Sequence, residues 1–558
     1  MILQTLGAVL LALGFFTQSS VLPQTHALAQ EAAAGRNLRV SGTVVDATSG
    51  QPLARARVFL TPADERDPGE FVLTGDDGRF AFENLAPGHY VLGAGRKGYV
   101  QQVYKQHEQF STAIIVGPDL VTENLRFELR SAASIAGQVV DERNEPVRNA
   151  RVILFHQTVR FGRHTNWRER EVGTDDRGRY RFGHLGPGVY FVAASAQPWY
   201  AQRVTHQRIQ QTNSSGQTTF LEFTNGEPEL DVVYPVTFFS HAEDLAGAVP
   251  ITLHAGDSEV ADFFLQALPA LHMLIHSSTS SENENVYVQV TQTLSNGSQM
   301  QVQANSQQIA PGLVEVGGLP PGKLRLGLVV SKEGESSTRW HNVELAGDMD
   351  VSASETKASA TVSGVVRFDE GVPPRRLLVS LRLSSRSANE EFVMQADENG
   401  EFSLKDGSLP PGTYDLLVGQ PAAAAVKTLS ATGAKINGRS LEIGEGQDVK
   451  LSVVLSRGTG QISGVAVKDG KPVDGVMVVL VPELPEHNLV LFRRDQSDSD
   501  GSFHLSGVIP GKYTVVAIEN AWELDWFQAS VIKKYLAGGE ALQVQADSRL
   551  EVKVKVQQ

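Results

Sequence analysis

One pair of residues in this 558-residue sequence, His341 and Glu344, has a spacing found among zinc ligands. A zinc site needs ligands aimed at one point, a third protein ligand and an open position. The pair lies in the alternating stretch Trp340 to Leu345, which predicts a strand, and residues three apart on a strand point to opposite faces. We therefore interpret this match as chance. Neither a Gly-x-Ser-x-Gly nor a His-Glu-x-x-His motif occurs in the sequence.

Carboxylates also stand just before a glycine in two predicted turns, as Asp175 with Asp176 and as Asp498 with Asp500. Calcium binds several oxygen ligands, and a turn supplies carbonyl oxygens beside the carboxylates. Aspartate is equally common in such turns because its side chain accepts hydrogen bonds from the local backbone. The turn interpretation is favoured, so no cofactor is predicted and calcium is the alternative.

Aromatic residues form a third kind of candidate site, because they can stack on sugar rings. The candidates are Trp167, Trp199, Tyr200, Trp522 and Trp526. Such side chains suit a ligand that is apolar on one side and hydroxylated elsewhere. They are scattered along the chain and no repeated position carries one, which favours a packing role for each. Carbohydrate binding remains the alternative.

Composition and charge limit the classes of protein to which the chain can belong. The absence of cysteine removes disulfides, thiolate metal sites and a cysteine nucleophile together. The net charge of −14 argues against nucleic acid as a partner, since phosphate binding needs a basic face. The Arg-rich stretch from Arg160 to Arg181 is interleaved with Glu and Asp, which favours a solvated hairpin over an anion-binding patch.

The N-terminus is typical of an exported protein. Residues Ile2 to Phe16 are mostly apolar, and Ala27-Leu28-Ala29 provides small residues for cleavage. We predict a signal peptide at residues 1–29 and a secreted or periplasmic mature chain, with an uncleaved anchor as the alternative. A membrane-spanning helix needs ~20 apolar residues, and we expect no transmembrane segment in the mature chain.

One sequence pattern recurs along most of the chain and organises it. In its fullest copy, residues 174–190, a turn containing Gly178 precedes a strand with Tyr180 and Phe182. A second turn, Leu185-Gly186-Pro187-Gly188, leads into another strand. Further copies lie at residues 78–90, 399–414 and 500–513, and a worn one at 319–324. Copies this far apart indicate an array of domains and not a solenoid.

These copies predict five β-sandwich domains. Their expected ranges are 38–130, 133–266, 268–347, 358–456 and 460–558. The second carries a long polar insertion after Trp199, and the third is a divergent copy. Within the fifth, apolar residues from Leu524 to Leu536 fall at helical spacing, and Gly538-Gly539 predicts the helix end.

The repeat resembles carboxypeptidase regulatory-like domains. The resemblance is carried by an opening strand such as residues 135–139, a Pro-x-x-x-Ala-x-Val second strand such as residues 146–152, and the two turns of the hairpin. It implies small antiparallel Ig/transthyretin-like β-sandwiches, found appended to exported bacterial proteins, and hence an all-β tandem array. It covers four of the domains well and the third poorly. Fold does not imply activity, since this module serves as a spacer, an accessory domain or a binder.

We therefore expect an exported, non-enzymatic protein that acts as a structural or protein-interaction module at the cell envelope. The second hypothesis is a carbohydrate-binding protein that uses exposed aromatics. The third is a metallopeptidase accessory domain or an enzyme with an unfamiliar site. The expected partner is accordingly another protein or an envelope polysaccharide.

Overall fold

A computed structural model gives the fold of most of the chain. It describes residues 38–63, 69–160, 162–202, 204–212, 218–276, 284–295, 299–310, 312–332, 335–352, 357–369, 377–383, 391–419, 424–486 and 488–558. The predicted signal peptide, residues 1–29, lies outside the described residues. In the described part of the chain, no helix combines the length and the hydropathy needed to cross a membrane.

The fold is all-β, as predicted, and its strands form five successive groups, which we call sandwiches 1 to 5. Sandwich 1 contains β1 (Leu38–Asp46), β2 (Arg57–Pro62), β3 (Glu70–Leu73), β4 (Arg79–Leu85), β5 (Gly88–Gly95), β6 (Gln102–Val103), β7 (Ile114–Val116) and β8 (Leu125–Leu129). Sandwich 2 contains β9 (Ala133–Val140), β10 (Arg151–Arg160), β11 (Arg163–Gly173), β12 (Arg179–Leu185), β13 (Gly188–Ser195), β14 (Thr205–Thr212), β15 (Thr218–Asn225), β16 (Val232–Val233), β17 (Thr237–Phe238), β18 (Ile251–Leu253), β19 (Ser258–Val260) and β20 (Phe263–Phe264), with 3₁₀ turns at Pro228–Leu230 and Leu245–Gly247.

Sandwich 3 contains β21 (Leu268–Pro269), β22 (Leu271–His276), β23 (Glu284–Thr293), β24 (Gln299–Gln301), β25 (Asn305–Ala310), β26 (Leu313–Leu319), β27 (Gly322–Lys332), β28 (Glu335–Leu345), β29 (Met349–Ser352) and β30 (Lys357–Ala358). Sandwich 4 contains β31 (Ala360–Phe368), β32 (Leu378–Leu383), β33 (Glu391–Gln395), β34 (Glu401–Leu409), β35 (Gly412–Val418), β36 (Ala424–Thr432), β37 (Lys435–Asn437), β38 (Ser440–Ile443) and β39 (Asp448–Arg457).

Sandwich 5 contains β40 (Gly460–Lys468), β41 (Lys471–Pro472), β42 (Met477–Pro482), β43 (Arg493–Gln496), β44 (Ser502–Val508), β45 (Gly511–Ile518), β46 (Glu540–Val544) and β47 (Arg549–Gln557). It also holds a 3₁₀ turn at Leu489–Leu491 and the helix α1 (Ala529–Ile532), which continues as a 3₁₀ helix over Lys533–Gly538. The predicted helix is therefore real but starts later than its apolar spacing indicated, and Gly539 caps its end.

One topology recurs in all five groups. The opening strand pairs antiparallel with the first strand of the repeated hairpin and parallel with a late strand of its group, as β1 does with β4 and β8. The same arrangement joins β22 to β26 and β29 in sandwich 3. In sandwiches 1 to 4 a second sheet, such as β3-β2-β5-β6, packs over the first. In sandwich 5 pairing of β45 with β47 joins the two layers into one eight-stranded sheet. Sandwich 3 is thus built like the others although its sequence repeat is worn.

The repeated residues have structural roles in this topology. Gly178 adopts a φ of 70°, and a Cβ there would lie 2.4 Å from the carbonyl oxygen of Val139. At Gly137 of the opening strand, a Cβ would lie 2.0 Å from the carbonyl oxygen of Ala261 on the adjacent chain segment. The tyrosine of the hairpin donates its hydroxyl to the carbonyl oxygen four residues earlier in each full copy: Tyr90 to Ala86, Tyr190 to Gly186, Tyr414 to Pro410 and Tyr513 to Ile509. The repeated residues therefore stabilise the turns of the hairpin.

The polar insertion of sandwich 2 contains an element that the sequence did not predict. Residues Thr205–Thr212 and Thr218–Asn225 pair antiparallel as a two-stranded hairpin. The Gln- and Ser-rich sequence lacks apolar alternation, so it favours a loop. Backbone pairing nevertheless forms a hairpin there.

Each sandwich has its own hydrophobic core. Two further apolar clusters lie on the side of the second sheet that faces away from the core, which we call the outer face. One covers the outer face of sandwich 2 and includes Leu294 and Met300 of sandwich 3. The other covers the outer face of sandwich 5 with the segment that contains α1.

Candidate functional site at the contact between the first and last sandwiches

Sandwich 5 packs against sandwich 1, so the first and last groups of strands meet. On sandwich 1 the contact is formed by the connection between β6 and β7. On sandwich 5 it is formed by β43, the turn that follows β43, and the segment before α1. We call this surface the 1–5 contact.

Arg494 of β43 lies at the centre of the 1–5 contact. Its guanidinium donates two hydrogen bonds to the carboxylate of Glu108, at 3.1 and 2.7 Å, and the two side chains are only 5% and 16% exposed. The same guanidinium lies over the rings of Phe110, Trp526 and Trp522, at 4.6, 5.1 and 5.7 Å from their centroids. Bidentate pairing and aromatic contact compensate for removing both charges from water.

Gln496, two residues further along β43, is almost fully buried in the same contact. Its amide donates to the carbonyl oxygen of Lys105 and to the hydroxyl of Thr112, both at 2.8 Å. Its amide oxygen lies 3.1 Å from Nδ1 of His107, whose ring stacks on Trp522 with centroids 4.4 Å apart. Burial lowers the pKa of His107 below its usual value, which favours the neutral imidazole.

The turn after β43 binds the backbone of sandwich 1. The amide of Ala113 donates to the Asp498 carboxylate, and the amide of Ile115 donates to the Ser499 hydroxyl, both at 2.9 Å. Burial raises the pKa of Asp498 to about 6, and the ring of His89 lies 3.6 Å from that carboxylate. This is one of the aspartates that the sequence offered as a calcium ligand, and here it joins two domains.

Sandwich 5 also contacts sandwich 2, at the tip of the β10–β11 hairpin. The backbone amide of Phe527 donates to the carbonyl oxygen of Gly162 at 3.2 Å. The amide of His164 donates to the carboxylate of Asp525 at 2.8 Å. A Cβ at Gly162 would lie 2.5 Å from the indole of Trp526, so only glycine allows this approach.

Two of the predicted aromatic site residues therefore lie in domain contacts. Trp526 is 5% exposed and belongs to the apolar cluster of sandwich 5. Trp522 packs against the same cluster and stacks on His107. Both rings lie beside Arg494. Their surroundings match the packing interpretation that the sequence favoured.

The other three predicted site residues belong to sandwich 2. Trp199 is 80% exposed, and its ring lies edge-on to Tyr200 with centroids 5.8 Å apart. The hydroxyl of Tyr200 donates to the carboxylate of Glu142. Trp167 is half-buried on β11. The exposed Trp199 and the half-buried Tyr200 thus form an aromatic pair, and sugar binding there stays a prediction.

The metal hypotheses gain no geometric support. Within the residue ranges given above, no group of three or more His, Asp or Glu side chains is placed to hold a metal ion. His341 and Glu344 lie on one strand, β28, as the sequence predicted. The carboxylate of Asp175 accepts the backbone amides of Arg177 and Arg179, which is the turn role that we favoured over calcium binding.

In chemical terms the 1–5 contact holds two domains together. The guanidinium of Arg494, the amide of Gln496 and the carboxylates of Glu108 and Asp498 are all hydrogen-bonded within the chain. Sequence reasoning singled out Trp522 and Trp526 but missed Arg494, Glu108 and Gln496. Glu108 and Arg494 are 386 residues apart, and no local pattern relates them.

Comparisons with known proteins agree with the repeat. The model of the carboxypeptidase regulatory-like domain family matches residues 39–127 and 134–225. The model described as "BOS complex subunit NOMO1-like, second beta sandwich domain" matches residues 459–538. No curated protein matches the sequence.

Several solved structures align with the chain at low similarity. An ancillary pilin from Streptococcus is 13% identical, with 51% of this chain and 98% of that chain covered and a TM-score of 0.20. The major pilin subunit BcpA of Bacillus cereus is 12% identical, with 59% and 100% covered and a TM-score of 0.14. The pilus protein RrgB of Streptococcus pneumoniae is 8% identical, with 76% and 98% covered and a TM-score of 0.14. Likeness this low carries no argument about the fold or the function of this chain.

The fold and the family matches lead to the same assignment. This chain is a repeated β-sandwich protein, and its first two sandwiches match the model of the carboxypeptidase regulatory-like domain family.

Proposed function

We propose that the protein is an exported, non-catalytic module that provides a rigid structural or protein-interaction platform at the cell envelope. The observation that carries this proposal is the 1–5 contact, together with the contact of sandwich 5 on sandwich 2. Domains joined only by linkers move relative to one another by default. Here the last domain is fixed on the first two, which supports a single body of defined shape.

The chemistry of the contact also supports a structural role. Arg494 and Glu108 form a buried ion pair, and breaking one partner of such a pair leaves an uncompensated charge. Because each charge needs the other one in place, the two sandwiches can dock at low cost only in the orientation that brings the pair together. The buried polar groups of the 1–5 contact form hydrogen bonds between sandwiches, and for this reason we favour a platform over an enzyme.

Small-angle X-ray scattering of the mature chain tests rigidity directly. We expect a compact particle whose scattering matches the closed arrangement, and a larger radius of gyration for Arg494→Ala combined with Gln496→Ala. Arg126→Ala is the matched control, because that arginine pairs with Glu128 on the surface, where the two side chains are 57% and 52% exposed. An extended wild-type particle would contradict the platform proposal.

Cellular fractionation and crosslinking test the location and the role. We expect the wild-type chain in the envelope or extracellular fraction, crosslinked to a defined protein. The opened double variant should be exported equally but lose that crosslink. Recovery of the chain in the cytosol would overturn the envelope assignment, and an unchanged crosslink would show that partner binding does not need the closed shape.

A further inference from the structure

A groove lies between sandwich 3 and sandwich 4, away from the 1–5 contact. Its volume is about 770 Å³, which is within the usual range for small-molecule sites. Its floor is the outer face of the sheet β24-β23-β27-β28-β30, and its other wall comes from Leu383, Pro410 and Pro411 of sandwich 4. The groove lining includes His341 and Glu344, the pair that we interpreted as a chance zinc match, but none of the predicted aromatics.

Strand register places a set of polar side chains on that floor. Across β27 and β28, Lys323 faces Glu344 and Arg325 faces Asn342. These residues alternate with buried core residues such as Leu324, so they point out of the sandwich. Neighbouring strands add a hydroxyl and an amide. The polar lining residues on this face are Thr293, Gln299, Lys323, Arg325, Asn342 and Glu344. His341 also borders the groove, but it pairs with the buried Leu326 and its position faces the core side of the sheet.

Trp340 supplies the aromatic surface in the groove. It is paired with Gly327, where a Cβ would lie 2.9 Å from the indole, so glycine makes room for the ring. The guanidinium of Arg325 lies 4.2 Å from the ring centroid and holds the indole in place. The indole N–H of Trp340 is shielded from water and has no hydrogen-bond partner among the described residues.

The charge balance of the groove indicates the class of ligand. Lys323 and Glu344 are opposite in sign on adjacent strands, and Arg325 is engaged with Trp340. The whole chain carries a net charge of −14, so an acidic polymer would meet overall repulsion. Amide and hydroxyl groups, as on Asn342 and Thr293, both donate and accept hydrogen bonds. This combination fits an uncharged ligand with apolar faces and hydroxylated edges.

We propose that the groove between sandwiches 3 and 4 binds a segment of a neutral polysaccharide. Sugar rings lie between Trp340 and the wall formed by Pro410 and Pro411, and their hydroxyls bond to Thr293 and Asn342. The proposal goes beyond the platform role and does not depend on the 1–5 contact. It also differs from the sequence hypothesis, since it uses none of the aromatics proposed there.

Affinity electrophoresis of the mature chain tests this site with mixed-linkage β-glucan, amylose and dextran as neutral probes and polygalacturonate as the acidic probe. We expect saturable binding of at least one neutral probe and weaker binding of polygalacturonate. Trp340→Ala should lower the affinity at least tenfold, and Asn342→Ala should lower it several-fold. Tyr287→Ala is the matched control, because this 57% exposed aromatic lies on the same sheet outside the groove lining.

Three results would overturn the proposal: no neutral probe binds, polygalacturonate binds more tightly than every neutral probe, or Trp340→Ala binds as the wild type does. Asn342→Ala guards against a folding failure, since Asn342 is exposed and its truncation leaves the core unchanged. Small-angle scattering of each variant distinguishes failure of the glycan-binding proposal from failure of the platform proposal. A closed particle that binds no glycan leaves the platform intact, and an open particle that binds glycan leaves the groove intact.

Discussion

The outer faces of sandwich 5 and sandwich 1 occupy the same place in the repeat, yet only one is covered. In sandwich 5 the outward side chains of β42 and β45, including Met477, Val479 and Val516, are fully buried. Trp526 and Ile532, from the segment that follows β45, lie over them. This face is effectively a second core.

In sandwich 1 the equivalent face is apolar but open. Phe71 is 57% exposed and Leu73 is 62% exposed on the edge strand β3. Beside them the ring of Phe59 lies directly over Gly93, where a Cβ would come within 1.9 Å of it. The apolar outer face of this sheet could therefore pack against another segment, but none of the described residues covers it.

The difference lies in the segment that follows the second hairpin strand. After β45 that segment turns back and covers its own sheet. After β5 the corresponding segment extends to sandwich 5, where His107 and Phe110 contact Trp522. The repeat thus determines hairpin and core, whereas the connecting segments determine which faces are covered and which domains join.

The largest expected effect comes from removing the cover of sandwich 5. Trp526→Ala deletes a buried ring and should lower the free energy of unfolding of sandwich 5 by about 3 to 5 kcal/mol. Native-state hydrogen exchange of β42 and β45 measures this for one sandwich within the whole chain. Trp199→Ala removes the same side chain where it is 80% exposed and should change protection very little. An equal loss of exchange protection in the two variants would contradict the view that Trp526 covers a second core.

The next expected effect comes from separating the two sandwiches at Arg494. Arg494→Ala leaves the carboxylate of Glu108 buried without its partner, at a cost of about 3 kcal/mol in the docking of sandwich 1 on sandwich 5. Exchange protection should fall in residues 105–113 while the core of sandwich 1 keeps its protection. Arg126→Ala breaks an exposed pair and should cost less than about 1 kcal/mol. Simultaneous loss of the sandwich 1 core would contradict this prediction.

The sequence predicted the repeated fold because local chemistry determines it. Positive φ at Gly178 and strand alternation at Tyr180 and Phe182 act within a few residues, so they can be recognised without the structure. The same reasoning found α1 but misjudged its length, since Leu524 and Phe527 lie at helical spacing yet belong to the loop before the helix.

The contacts between sandwiches could not be predicted in the same way. Arg494, Glu108 and Gln496 look like ordinary surface residues of β-strands and loops when taken locally. Their burial results from the approach of domains hundreds of residues apart, which no sequence period encodes. The polar hairpin β14–β15 was missed for a related reason, because backbone pairing leaves no apolar pattern.

A smaller effect should appear with pH at the contact between sandwiches 2 and 3. There the ring of His272 lies 3.0 Å from a carboxylate oxygen of Glu315 and 2.5 Å from one of Asp231, and its backbone amide donates to Asp348. Hydrogen bonding to Glu315, and then to Asp231, raises the pKa of His272 from 6.5 to about 9 against the opposing effect of burial. Because the folded value is the higher one, the stabilisation is complete below about pH 6.5 and is lost as pH rises through 9, by at most about 3 kcal/mol.

Urea unfolding of this region, followed by hydrogen exchange of β22 and β26 between pH 6 and pH 10, measures the effect. His272→Gln should abolish the pH dependence and lower stability at pH 6. His276→Gln is the control, because His276 pairs with Asp350 on the surface, where the two side chains are 53% and 67% exposed. A wild-type stability that stays constant across this range would show that His272 does not carry the charge.

The smallest expected effect comes from the open face of sandwich 1. Phe71→Ser removes a half-exposed ring over which the guanidinium of Arg57 lies at 4.2 Å, a contact worth about 0.5–1 kcal/mol at an exposed site. We therefore expect the free energy of unfolding of sandwich 1 to fall by no more than about 1 kcal/mol, measured by hydrogen exchange of β2 and β5. A loss comparable to that of Trp526→Ala would mean that this face is covered in the folded protein. In that case the two outer faces would be alike, and the contrast between them would disappear.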